Sequence, residues 1–169
     1  MFVWFAAGSV ALVWAVFQSP AIDYRMVVLG SVLGVLEAPL GPGPLHTLLA
    51  PCVALGAVMA LTVGRRLLRR RLLGVPIGMF LHLVLDGAWT DTGVFWWPLG
   101  SGRLFEGSSA IVERGMWSAL MEVAGIAVGV WCWRRFGLSD PARRSLFLRS
   151  GHLERSFVQG GRTPTRGRT

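Results

Sequence analysis

Five long apolar runs constrain this chain more than any other feature. A hydrocarbon core about 30 Å thick is crossed by roughly 20 apolar residues in a helix. Three runs approach that length: His46–Gly64, Leu72–Trp89 and Gly115–Trp133. Two shorter ones precede them, Phe2–Phe17 and Met26–Leu40. The pattern predicts an all-α fold, a polytopic transmembrane bundle of five helices, or four if Met26–Leu40 is re-entrant and not a full span. Charged residues are only 15% of the chain, well under the roughly 25% of soluble domains. That excludes a soluble enzyme, a disordered chain and a disulfide-stapled module. Phe2–Phe17 lacks a basic flank and a clean cleavage site, so it is read as a retained helix, not a signal peptide.

Charge then orients the runs. All 17 basic residues are arginine, and the net charge is +8. These arginines flank the apolar runs, as expected of cytoplasmic loops and not of a nucleic-acid surface. Arg65–Arg71 contains five arginines in seven residues, Arg134 and Arg135 close the last run, and Arg25 marks the turn after the first. All are expected in the cytoplasm, with the N-terminus and the loop 90–114 outside. Residues 1–137 are then the membrane domain of a multi-pass inner-membrane protein. Residues 138–169 are a basic cytoplasmic tail, with an interfacial helix over 142–157 and a disordered end. The bilayer is the first partner implied, and anionic lipids facing the Arg-rich loop and tail are the second.

Ionisable groups inside apolar segments are costly, so each one is a functional hypothesis. Here they are Glu37, His46, His82, Asp86 and Glu122, with Asp91 just beyond the fourth run. At 1.5 Å per residue, Asp86 lies about 5 Å deep and His82 and Glu122 about 10 Å deep, all from the outer face. His82 and Asp86 are spaced i, i+4 and share a helix face. With His46 and Glu37 they make a two-His, two-carboxylate set suited to a divalent cation, Zn²⁺ or Mn²⁺. Glu122 or Asp91 is then the candidate catalytic base. The structural alternative is a hydrogen-bonded network that packs helices in a non-catalytic scaffold. A transporter is disfavoured by the short chain and the lack of paired broken helices.

The stretch Gly78-Met-Phe-Leu-His82-Leu-Val-Leu-Asp86, followed by Thr90-Asp-Thr-Gly93-Val-Phe-Trp-Trp97-Pro98, resembles the signature of the YdjM-like family. Those are bacterial inner-membrane proteins assigned as metal-dependent hydrolases. Leu45-His46-Thr47-Leu48 is similar to the family's His-Ser/Thr-Leu motif, and Gly30-Ser31 with Glu37 to its Gly-Ser segment. The resemblance implies a metal-dependent hydrolase with Glu37, His46, His82 and Asp86 as metal ligands. Joined to the clustering of ionisable groups near the outer face, it leads us to expect a lipid or envelope-type ester or phosphoester as substrate. Two positions depart from it. The family's Pro-Asp is Gly34-Val35 here, and Pro42-Gly43-Pro44 stand where it has a further histidine.

Trp89, Trp96, Trp97 and Trp117 fall where an outer aromatic belt belongs, and Trp131 and Trp133 at the inner one. Gly125 and Gly129 form a GxxxG, read as close packing between helices of this chain and not as a dimer interface.

Overall fold

A computed structural model of the chain describes residues 1–37, 41–100, 104–105 and 110–153. The described residues form helices and turns, with no β-strand among them, as the pattern of apolar runs requires. We number the helices α1 (Phe2–Phe17), α2 (Tyr24–Leu33), α3 (Leu49–Leu61), α4 (Arg66–Leu72), α5 (Gly74–Asp86), α6 (Thr92–Phe95), α7 (Ala110–Arg135) and α8 (Pro141–Ser150). Short 3₁₀ turns at Gly34–Glu37, Pro44–His46 and Ala88–Thr90 complete the order.

The five apolar runs map onto α1, α2 with its 3₁₀ extension, α3, α5 and α7. Among the described residues only Gly115–Arg135 within α7, at 21 residues, is long and apolar enough to cross a membrane by itself. The others are cut short by local chemistry. Gly87 adopts a left-handed conformation (φ 71°) and stops α5, which a β-carbon would resist. Leu73 keeps helical angles between α4 and α5, so the two helices almost merge.

Packing relies on small residues. A β-carbon at Gly30 would collide with the Val75 carbonyl oxygen, and one at Gly78 with the Val27 carbonyl oxygen. The backbones of α2 and α5 therefore lie in direct contact and run parallel. A β-carbon on Gly125 would likewise strike the Trp4 backbone, so α1 and α7 meet there. The GxxxG of α7 thus serves packing within the chain.

What lies inside is unusual. Ser9, Asp23, Ser31, Thr47, Thr62, His46 and His82 are buried, while large apolar side chains face out. Leu61 is 78% exposed, Met116 81% and Trp117 69%. An apolar cluster lies at one end, where Val13, Trp14, Tyr24, Phe136 and Leu153 pack together.

That end also gathers the arginines. Arg71 pairs with Asp23 (3.2 Å), and Arg25 reaches the Leu148 carbonyl (2.8 Å). The opposite end carries Met1, Glu122, Glu37, His46, His82 and the last turn of α5.

The tail differs from the sequence expectation. Its helix ends at Ser150 because Gly151 turns left-handed (φ 72°), and Leu153 is buried in the cluster at the arginine end. Leu146 stays exposed, so Leu146 and Leu153 do not share a helix face. The rest of the expected interfacial helix, from residue 154, and the expected disordered end lie outside the described residues.

Candidate functional site

The site is assembled from α2, α5 and the two 3₁₀ turns between α2 and α3. His82 projects from the third turn of α5 into the contact with α2, where Gly34 makes room for it. A β-carbon at Gly34 would overlap the His82 ring. Glycine at this position therefore leaves room for the imidazole. Nδ1 of His82 donates to the Ser31 carbonyl (2.7 Å), and the Phe5 ring covers it with centroids 4.2 Å apart. The side chain is buried to 2% exposure.

His46 sits in the 3₁₀ turn Pro44–His46, where Pro44 presets φ at the first position. Nδ1 of His46 lies 3.0 Å from Oε2 of Glu37. The same carboxylate accepts from the Leu45 backbone N–H at 3.1 and 3.0 Å. Glu37 therefore ties the turn Gly34–Glu37 to the turn Pro44–His46 and holds one imidazole. The His46 and His82 rings stand nearly edge to face, with centroids 5.3 Å apart.

Both histidines share one chemical consequence. A carbonyl or carboxylate oxygen can only accept, so Nδ1 carries the proton in each neutral ring. Nε2 is then the basic nitrogen of both. This is the arrangement by which second-shell acceptors orient ligating histidines.

The other expected site residues are placed differently. Glu122 accepts from the Met1 amine (2.7 Å) and from the Val3 N–H (3.2 Å), anchoring the start of α1 to α7. Asp91 caps α6 by accepting from the Val94 N–H at 3.4 Å, as Asp does at helix starts. Asp86, half-buried, ends α5 one turn beyond His82. Among the described residues no group of three or more His, Cys, Asp or Glu side chains is gathered closely enough to hold a metal ion. The donor set therefore fits a metal in part, with two oriented imidazoles but no assembled carboxylates.

Sequence reasoning missed Ser31 and Gly34. Gly30-Ser31 was visible as a motif, but nothing local marks a serine's backbone carbonyl as the acceptor for a histidine 51 residues away. Comparisons with family models, with curated proteins and with solved structures find no match for this chain.

Proposed function

We propose that this chain is a multi-pass inner-membrane protein with its arginine-rich end in the cytoplasm. We further propose that it is a metal-dependent hydrolase acting on a lipid or envelope-type ester or phosphoester at the opposite, outer end. The membrane reading is supported by the inverted distribution of side chains. Exposed apolar patches this extensive are rare on soluble monomers, and buried hydroxyls bonding across helices are common in bilayers. Ser9 Oγ, for example, lies 3.1 Å from Ser31 Oγ.

The single observation carrying the hydrolase reading is the pair of imidazoles whose Nδ1 atoms are both engaged by acceptors. His46 and His82 would hold the ion through Nε2, and Asp86, next on the same helix, is the side chain that would complete the set. Glu37 would orient His46 and not bind directly. A bound Zn²⁺ or Mn²⁺ supplies Lewis acidity and a water acidified toward neutral pH. His82 is almost fully buried, with the Phe5 ring packed over it.

A second reading is favoured by the lack of a three-ligand group among the described residues. In it, the same polar residues only lock helices together and the protein is non-catalytic. Elemental analysis separates the two. About one equivalent of metal in the detergent-purified protein, lost in His82→Ala with the helical spectrum intact, supports the metal site. No metal in the wild type after reloading refutes it and leaves the packing role.

A further inference from the structure

At the arginine end, a cavity of about 430 Å³ is walled by three segments far apart in sequence. The turn before α2 contributes Asp23 and Arg25, α4 contributes Arg70 and Arg71, and the end of α8 with the residues after it contributes Arg149 and His152. Ligand sites commonly run from about 300 to 1,000 Å³, so the size suits a small molecule or a lipid headgroup.

The charges here are arranged, not merely abundant. The Asp23 carboxylate is buried, and it holds Arg25 (3.4 Å) and Arg71 (3.2 Å) by their Nε atoms. Two guanidinium groups are thereby fixed in direction by one negative charge. Arg25 also donates through Nη1 to the Leu148 carbonyl (2.8 Å), which ties this wall to the tail. Arg70 and Arg149 make no ion pair among the described residues and line the same space. Four guanidinium groups against one carboxylate leave a net of three positive charges around the cavity.

The tail is docked by defined contacts. The Tyr24 N–H donates to the Gly151 carbonyl (2.9 Å), and His152 Nδ1 lies 3.3 Å from the Ile22 carbonyl. Gly151 has φ 72°, and a β-carbon there would overlap the Asp23 carboxylate. A side chain at this position would have to displace the Asp23 carboxylate and hold a strained backbone.

We propose that this cavity is a binding site for a phosphate group, either on the headgroup of an anionic lipid or free in the cytoplasm. Planar guanidinium forks converging from several directions match the several oxygens of a tetrahedral phosphate, which a lone surface arginine does not. The bound group joins the first turn, the α3–α5 connection and the tail. It lies at the far end from His46 and His82 and does not depend on their chemistry.

The test uses the full chain in phosphatidylcholine nanodiscs. In one arm inorganic phosphate is titrated at constant ionic strength, with binding read by calorimetry. In the other, phosphatidylglycerol is added to the nanodiscs and retained lipid is read by native mass spectrometry. Saturable binding of about one equivalent is expected in at least one arm. Binding of inorganic phosphate identifies a soluble ligand, and binding of phosphatidylglycerol alone identifies the headgroup.

Arg70→Gln and Arg149→Gln should each weaken binding about tenfold, the loss of one charge-assisted contact. Gly151→Val keeps every arginine but moves the tail wall, and should weaken binding at least as much. No saturable binding in either arm overturns the proposal. So does wild-type binding by Gly151→Val, since a diffuse basic surface would then suffice.

Discussion

The contact between α2 and α5 yields a sharp quantitative expectation for Gly78→Ala. The three atoms nearest a β-carbon there are all backbone: the Val27 carbonyl oxygen, the Val27 carbonyl carbon at 2.9 Å and the Ser31 nitrogen at 2.7 Å. Ordinary contact begins near 3.4 Å, so clearing the Ser31 nitrogen alone requires a separation of about 0.7 Å. Backbone atoms within a helix cannot rotate away as a side-chain tip can, so the two helices must part. Overpacking of this kind costs about 1–3 kcal/mol, against about 1 kcal/mol gained from alanine's helix propensity. Gly56→Ala on α3 is the matched control, because nothing lies within 4 Å of its β-carbon. At roughly 2–4 °C per kcal/mol for a chain of this size, Gly78→Ala should melt several degrees below Gly56→Ala in detergent, followed by tryptophan fluorescence. The shift should also lengthen the bond from His82 to the Ser31 carbonyl, so any metal retained by the wild type should be held less well. If Gly78→Ala melts at or above the control, the α2–α5 contact is not as close as described.

One further outcome follows from a named contact and one from the proposed topology. Glu122→Gln removes the charge facing the Met1 amine, and should destabilise the protein by about 1 kcal/mol while leaving any bound metal in place. Metal loss on that substitution would return Glu122 to the site as a ligand or base. For orientation, alkaline phosphatase fused after Gly100 should be active in a bacterial host, and the same enzyme fused after Gly137 inactive. The reverse pattern would refute the proposed topology.

The histidines were legible in the sequence as anomalies, because an ionisable group in an apolar run stands out against its neighbours. Their partners were not. His82 and Glu122 looked alike by depth, yet His82 engages the Ser31 carbonyl, while Glu122 engages the chain's own amine and first turn. Depth along a helix is set by counting residues. The direction a side chain faces depends on how each helix is rotated against the next, and that is fixed by close contacts such as Gly78 on Val27 and Gly125 on Trp4. Asp91 was ambiguous for a different reason, since an aspartate before a helical turn serves as a cap whether or not it also does chemistry.

By itself the sequence determined that the chain is helical, where its apolar runs lie and where its arginines cluster, because apolar content and charge act within one turn or one run. Tertiary structure decided which end each cluster occupies, that Gly34 makes room for the His82 ring, and that Gly151 lets the tail close a cavity around Asp23. These depend on atoms distant in the chain meeting at contact range, and no local pattern encodes a distance between helices.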